Sequence, residues 1–161
     1  MLRLALVVLV ILSACATTVA DPTADARIVE IIDGDTLVIS VGGRRATTRL
    51  IGIDTPETKK PDTPVECYGP EATEFLRTLV PPDTSILVRR DIEGRDHFGR
   101  ILTYVFRAED GLFVNREILL QGYARALPIP PNTTFARDFA DVAARARQER
   151  RGMWQCDSVT P

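Results

Sequence analysis

Residues 27–56 read RIVEIIDGDTLVISVGGRRATTRLIGIDTP, and they give the clearest indication of the fold. Its β-branched residues fall into three runs, which are separated by Asp33-Gly34-Asp35 and by Gly42-Gly43. Both separators are typical of turns between strands, and paired glycines are typical of a two-residue hairpin link. The stretch therefore predicts an antiparallel meander of three strands, at 28–32, 36–41 and 44–53.

The rest of the chain adds strands and helices to this meander. Two more strands are predicted at 84–90 and 100–107, and helices are predicted from Pro70 to the Pro81-Pro82 pair, within 112–122 and over 135–151. The proline-containing stretch 56–67 is predicted to be an exposed loop. Strands interrupted by one helix and followed by others predict an α+β, mainly β, fold, namely a five-stranded OB-fold barrel with about three packed helices.

The N-terminus carries the features of an export signal. One arginine precedes an uninterrupted apolar run from Leu4 to Leu12, which is short for a transmembrane helix. Residues 1–20 are therefore predicted to be a signal peptide with a short tether, and residues 21–26 are expected to be polar linker. The length suits a single domain, which is predicted over 26–156.

Two cleavage sites compete at the end of this signal. Leu12-Ser13-Ala14-Cys15 resembles a bacterial lipobox, at which Cys15 would become a lipidated N-terminus and anchor the protein to a membrane. Cleavage after Thr18-Val19-Ala20 would instead release a soluble, secreted protein. We favour the cell-envelope lipoprotein, and in either case we expect an extracytoplasmic protein for which no protein partner is inferred.

Export also bears on the three cysteines of the chain. Once Cys15 carries lipid or is removed, Cys67 and Cys156 remain as a pair in an oxidising compartment. A disulfide between them is the simplest interpretation, and two buried thiols are the alternative. Such a link would close a loop of roughly ninety residues and stabilise the fold by constraining the unfolded chain.

The charge balance argues against a general nucleic-acid binder. The chain has 20 Lys and Arg against 22 Asp and Glu, a formal net charge of −2, and loss of the signal also removes Arg3. Non-specific binding of polyanions usually needs a broad basic surface. Any nucleic acid is therefore expected to bind in a locally positive cleft, whose charge a bound metal would supplement.

Polar side chains concentrate where the predicted strands end. Carboxylates at Asp35 and Asp54, with nearby hydroxyl and backbone oxygens, suit a hard cation such as calcium. Arg49 and Arg100 can each place a forked pair of donors on phosphate oxygens. Glu57 follows Asp54 by three residues and can accept a proton from an attacking water. Each signal alone is weak, since similar residues are common in turns and surface ion pairs.

Taken together and in this order, the motifs resemble the thermonuclease family typified by staphylococcal nuclease, in a secreted or lipoprotein member. The resemblance is carried by IDGDT, RLIGIDTPET, ECYGPEA, FGR and VNREIL, and it covers roughly Arg27 to Trp154. It implies a calcium-dependent nuclease that hydrolyses phosphodiester bonds of DNA, RNA or both and leaves 3′-phosphate ends.

The resemblance also implies roles for individual residues. By this likeness the metal ligands are the carboxylates of Asp35 and Asp54 and the backbone carbonyl of Thr55, and the catalytic residues are Arg49, Glu57 and Arg100. Asp33 is expected to shape the turn beside the metal, as an ordinary Asx-turn residue would.

The chain departs from the family pattern near the substrate. His97 and Phe98 stand where the family has a lysine and a tyrosine, and the stretch 126–132 lacks the tyrosines that flank the nucleotide. We expect weaker stacking on bases and altered substrate affinity, with the chemistry retained. Tyr68 and Tyr123 are predicted to pack against neighbouring elements, and neither is assigned to substrate.

Two non-catalytic alternatives stay open on the sequence alone. OB barrels host many binding modules, so a nucleic-acid-binding or partner-binding module anchored at the cell envelope competes with the enzyme. A structural lipoprotein that uses the acidic surface and the last helix as a contact is another. Because single-strand binders usually rely on a basic groove with stacking aromatics, the retained Glu57 and paired arginines favour the enzyme.

Overall fold

The computed structural model describes residues 23–58 and 64–156. The strands are β1 (Thr23–Ile31), β2 (Thr36–Val41), β3 (Arg44–Leu50), β4 (Ile53–Asp54), β5 (Ser85–Arg89), β6 (Ile101–Arg107) and β7 (Arg125–Ala126). The helices are α1 (Gly69–Leu79), α2 (Val114–Leu120) and α3 (Ala136–Gln148), and a 3-10 turn follows at Gly152–Gln155.

A closed barrel with strand order β1-β2-β3-β6-β5 confirms the predicted five-stranded OB-type fold. The first three strands form the expected antiparallel meander, and β5 lies between β6 and β1. Closure uses a short parallel ladder of three residue pairs, from Thr48 opposite Ile101 to Leu50 opposite Thr103. Residues 44–47 of β3 therefore extend beyond the ladder with β6.

The core fills the barrel and continues into the space beneath the helices. Leu37 and Ile39 point into the barrel and are fully buried, as are Ile118 of α2 and Phe139 of α3. Tyr104 of β6 meets the ring of Phe139 edge-on, at 6.1 Å between ring centroids. Burial of these apolar side chains, which is the main favourable contribution to folding, fixes the helices against one side of the barrel.

One predicted strand is interrupted in the structure. The prediction of a continuous strand over 44–53 was wrong, because the chain turns at Ile51-Gly52 before Ile53 and Asp54 form β4. Gly52 has a φ of +78°, and a Cβ at this position would lie 2.7 Å from the ring of Phe139. Glycine therefore permits a turn that swings Asp54 out of the barrel wall, where it pairs with Arg125 of β7.

The expectation of a polar linker up to residue 26 was also wrong. The backbone of β1 begins at Thr23, which pairs with Arg89 of β5, 66 positions away in the chain. This pairing depends on the closed barrel and leaves no local signal in a short polar stretch. The last helix is also shorter than predicted, since α3 ends at Gln148.

The predicted disulfide between Cys67 and Cys156 is present, with 6.4 Å between the two Cα atoms. It ties the segment before α1 to the C-terminal 3-10 turn. The signal peptide and Cys15 lie outside the described residues. Within the described ranges no helix is long and apolar enough to cross a membrane.

Candidate active site

The turn between β1 and β2 presents one buried carboxylate. Asp35 is 6% exposed, and its backbone amide donates to Asp33 Oδ1 at 3.1 Å, as expected for an Asx-turn. Gly34 keeps this turn close to β4, since a Cβ there would lie 2.9 Å from Thr55. The turn thus holds the Asp35 carboxylate against the segment that follows Asp54.

Arg49, near the end of β3, joins the two predicted metal carboxylates. Its Nη1 lies 2.8 Å from Asp35 Oδ2, and its Nη2 lies 3.4 Å from Asp54 Oδ1. Nη1 also donates to the backbone carbonyl of Leu50 at 3.2 Å. The Arg49 side chain is 17% exposed, so solvent screens these interactions less than at an open surface. A largely buried guanidinium therefore lies between two carboxylates, one from the β1–β2 turn and one from β4.

Asp35 also receives three further hydrogen bonds. The backbone amide and hydroxyl of Thr55 donate to Oδ2 at 3.0 and 3.1 Å, and the Thr36 hydroxyl donates to Oδ1 at 3.1 Å. Burial nevertheless raises the pKa of Asp35 to about 6, with the Arg49 cation opposing that shift and the Asp33 carboxylate adding to it. The buried negative charge is thus incompletely compensated and would be stabilised by a further cation.

Glu57 and Arg100 complete the set. Both line one shallow cavity of about 140 Å³ together with Asp35, Arg49 and Asp54. Glu57 Oε1 accepts a hydrogen bond from the Thr58 amide at 2.9 Å, which orients the carboxylate at the start of the loop. The predicted site residues therefore meet in one place, although they come from four separate segments of the sequence.

Asp96 holds Arg100 in this position, a contact for which sequence reasoning assigned no role. Arg100 Nε donates to Asp96 Oδ2 at 2.6 Å, and the amides of Phe98 and Arg100 donate to Asp96 Oδ1 at 3.0 and 2.9 Å. Burial acts to raise the pKa of Asp96, but the hydrogen bonds from Arg100 outweigh it and hold that pKa below its usual range. An aspartate that opens a turn before Gly-Arg was the available signal.

Asn115 of α2 is a second residue that the sequence did not single out. It is fully buried, its Oδ1 accepts from the Val105 amide at 2.9 Å, and its Nδ2 donates to the Ile51 carbonyl at 2.9 Å. The side chain thus ties the turn before β4 to β6 and to α2. The VNREIL motif contained this residue, but its partners are visible only in the folded chain.

The donor atoms of the site residues fit a hard divalent cation. In the described part of the chain no three Asp, Glu, His or Cys side chains group closely enough to hold a metal by themselves. Asp35 and Asp54 nevertheless face one guanidinium, and the oxygens of Thr36 and Thr55 surround the buried carboxylate. An all-oxygen set with two carboxylates suits calcium, which accepts carbonyl and water ligands.

A second cavity, of about 470 Å³, opens beside the site and shares Arg49 and Arg100 with it. Its exposed lining is mostly apolar and includes Leu127, which is 38% exposed, so we call this space the aliphatic cavity. Phe98 is 71% exposed, and the Arg100 guanidinium carbon lies 5.3 Å from the centre of its ring. His97 lines the same cavity.

Tyr68 and Tyr123 lie in packing positions, in line with the sequence analysis. The ring of Tyr123 stacks on Phe75 of α1 at a centroid distance of 4.2 Å, and Tyr68 meets Tyr123 at 5.9 Å. Their rings pack against each other and against α1.

Comparison with known proteins gives one consistent relationship. The family model described as "Staphylococcal nuclease homologue" matches residues 47–156. The chain is 31% identical over 128 residues to the Thermonuclease of Staphylococcus hyicus, covering 80% of this chain and 74% of that protein. It is 34% identical over 125 residues to the Thermonuclease of Staphylococcus intermedius, covering 78% and 73%. It is 36% identical over 124 residues to Endonuclease YncB of Bacillus subtilis, covering 76% and 58%.

Proposed function

Since the chain belongs to the staphylococcal nuclease family and is a nuclease, we propose that it hydrolyses DNA, RNA or both in a calcium-dependent reaction that leaves 3′-phosphate ends. The observation that carries this proposal is the position of Arg49 between Asp35 and Asp54, with Glu57 and Arg100 in the same cavity. This arrangement joins two phosphate-binding cations, a general base and two metal-binding carboxylates around one small space.

The two arginines bind and orient the reacting phosphodiester. Each guanidinium presents paired N–H donors in a plane, which matches two oxygens of a phosphate group. Arg49 is held by Asp35 and Asp54, and Arg100 is held by Asp96, so both are oriented before substrate arrives. This preorganisation favours the extra negative charge on the phosphoryl oxygens in the transition state.

Glu57 takes the proton from the attacking water. The oxygen of that water forms a bond to phosphorus in line with the 5′ oxygen, whose bond to phosphorus breaks. The leaving 5′ oxygen takes up a proton from solvent and becomes a 5′-hydroxyl, and the phosphate therefore stays on the 3′ end. The fixed Glu57 carboxylate, oriented by the Thr58 amide, supports this assignment as base.

Asp35, Asp54 and the backbone carbonyl of Thr55 are the proposed ligands of calcium. When bound, calcium supplies positive charge that polarises a phosphoryl oxygen and stabilises the transition state. The raised pKa of the buried Asp35 carboxylate supports a cation at this position, since burial without full compensation disfavours the ionised form.

The cavity beside the site is the proposed place of the nucleotide next to the cut bond. Its aliphatic walls offer a base less stacking than an aromatic platform does, so substrate affinity is expected to be modest. Leu127→Tyr should lower KM for oligonucleotides while kcat changes little. Equal KM values for the variant and the parent protein would contradict this role.

Residues 1–20 are proposed to direct export, with a lipid anchor on Cys15 as the favoured outcome and soluble secretion as the alternative. Incorporation of labelled fatty acid into the parent protein, and its loss in Cys15→Ala, would support the anchor. Recovery of the unmodified protein in the culture medium would favour secretion.

Hydrolysis of single- and double-stranded DNA and RNA tests the function. We expect cleavage with calcium, none with a chelator, and a loss of about 10²–10⁴-fold in Glu57→Gln. Glu71→Gln, an exposed position on α1, is the matched control and should be fully active. If the parent protein binds nucleic acid but does not cleave it, a non-catalytic OB module is the better interpretation. Products with 5′-phosphate ends would exclude the proposed direction of attack.

A further inference from the structure

A third cavity, of about 520 Å³, lies at the far end of the β2–β3 hairpin and is rimmed by arginines. These are Arg44, Arg45, Arg90 and Arg95, all exposed, and together they define what we call the arginine groove. Its floor is apolar and includes Ile101. None of the four arginines is used in the proposed chemistry.

The groove exists because the barrel closes over a short distance. The parallel ladder between β3 and β6 starts at Thr48 and Ile101, so residues 44–47 extend past it. On the other side β5 ends at Arg89, and the chain enters the loop that carries Arg95 and Arg100. An open channel therefore lies between the hairpin and this loop.

The arginines of the groove form no ion pair with any other described residue. In the described part of the chain, Arg49, Arg100 and arginines outside the groove such as Arg107 form salt bridges, but none of the four groove arginines does. Four neighbouring cations repel one another, and an extended polyanion would relieve that repulsion. Positive charge is therefore clustered in the groove, although the formal net charge of the whole chain is −2.

The arginine groove is linked to the active site by shared lining residues. Arg95 lines both the groove and the aliphatic cavity, and Arg49 and Arg100 line both that cavity and the catalytic one. One loop, residues 90–100, borders all three spaces. If one phosphate of a strand binds at Arg49 and Arg100, the neighbouring phosphates can therefore extend towards the groove.

We propose that the arginine groove binds the phosphate backbone of the nucleic-acid strand being cut, at nucleotides beyond the cleaved one. This inference rests on the proposed nuclease function and adds a determinant for polymer length. Each guanidinium can donate two parallel hydrogen bonds to one phosphate group. The apolar floor offers sugars and bases a contact surface that does not distinguish between sequences. A concave groove that shares Arg95 with the cavity beside the catalytic site favours a strand over a flat anionic membrane.

The test compares a polymer with a minimal substrate. The variant Arg44→Gln/Arg45→Gln/Arg90→Gln leaves Arg95 in place, because Arg95 Nη1 donates to the Gly99 carbonyl in the loop that carries Arg100. For a long single-stranded oligonucleotide at low salt we expect kcat/KM to fall at least tenfold. A plot of log kcat/KM against log salt concentration should become shallower by about 2. Each phosphate contact to a single strand contributes about 0.7 to that slope, and three contacts are removed. Hydrolysis of a nitrophenyl ester of thymidine phosphate should be unchanged.

The matched control is Arg137→Gln/Arg145→Gln/Arg150→Gln, which removes the same charge from exposed positions on and after α3. It should retain most of the polymer activity. If both triple variants lose polymer activity equally, the effect comes from net charge alone. If the groove variant loses activity equally on the polymer and on the ester, the substitutions have damaged the catalytic site. Either result overturns the proposal, as does unchanged polymer activity with weakened binding to anionic vesicles.

The same comparison separates this proposal from the nuclease function itself. If the parent protein cleaves neither substrate, the nuclease function fails, and oligonucleotide binding in the presence of chelator still reports on the groove. Weaker, less salt-dependent binding by the groove variant alone would then support the groove. Identical binding by the parent protein and both variants would overturn it.

Discussion

Arg49 Nη1 lies 2.8 Å from Asp35 Oδ2, and the same guanidinium reaches Asp54 with its other nitrogen. The residue between the two carboxylates is thus planar and forked, and a lysine ammonium cannot reproduce that geometry. Arg49→Lys keeps the charge but is expected to lower kcat by about 10²-fold or more, because phosphate is no longer held by two donors. Steady-state hydrolysis of an oligonucleotide measures this, with Arg137→Lys as control. A variant within twofold of the parent would contradict a forked contact.

Asp96 is a positioning residue for Arg100. Asp96→Asn keeps an oxygen for the turn but loses the charge-assisted bond to Arg100 Nε, so we expect kcat to fall roughly tenfold. Asp110→Asn removes a comparable carboxylate from Arg107 on the surface and should leave kcat unchanged. Both variants should unfold at similar temperatures. Equal activity of the two would show that Asp96 does not position Arg100 for the reaction.

Asn115 should matter chiefly for stability. Asn115→Leu leaves the Val105 amide and the Ile51 carbonyl without their partner in the core, at an expected cost of about 2–4 kcal/mol in the free energy of unfolding. Urea denaturation measures the change. Gln121→Leu, at the half-buried end of the same helix, should cost less than about 0.5 kcal/mol. A neutral Asn115→Leu would mean that the turn before β4 does not depend on this side chain.

The disulfide should stabilise the fold without entering the chemistry. Cys67 and Cys156 are 89 positions apart, and reduction of a link that closes so long a loop is expected to lower the free energy of unfolding by about 2–5 kcal/mol. Denaturation with and without reductant measures this. Cys67→Ser/Cys156→Ser should match the reduced protein and should not respond to reductant. A midpoint that is unchanged by reduction would contradict the prediction.

The hydrogen bonds to Asp91 should make the stability of the fold decrease at acidic pH. Burial acts to raise its pKa, but hydrogen bonds from the Thr134 amide and from the Tyr104 and Thr134 hydroxyls hold it below the usual range. A carboxyl with a lower pKa in the folded state stabilises the fold above its unfolded pKa, near 4, and loses this effect as pH falls through the folded value. The free energy of unfolding of Asp91→Asn should therefore depend less on pH below about 4 than that of the parent. The exposed Asp141→Asn is the control, and parallel pH profiles would contradict the role of Asp91.

Some features that depend on contacts between distant segments could not be predicted from the sequence. The turns at Asp33-Gly34-Asp35 and Gly42-Gly43 are local, because a few φ and ψ preferences determine them, and the meander followed from them. The pairing of Asp54 with Arg125 joins segments 71 positions apart, and two-residue strands carry no periodic pattern. This is why the break at Gly52 was missed and β4 and β7 were not predicted.

The amino-acid sequence was enough to predict the β-meander, the helices that follow it, the cysteine pair and the order of the motifs that carry Asp35, Arg49, Asp54, Glu57 and Arg100. These depend on local periodicity, turn chemistry and residue type. The folded chain was needed to show that Arg49 lies between the two carboxylates, that Asp96 holds Arg100, and that the arginine groove shares Arg95 with the cavity beside the site. Each of these depends on a distance between segments that meet only when the barrel closes, and closure is driven by burial of the whole core.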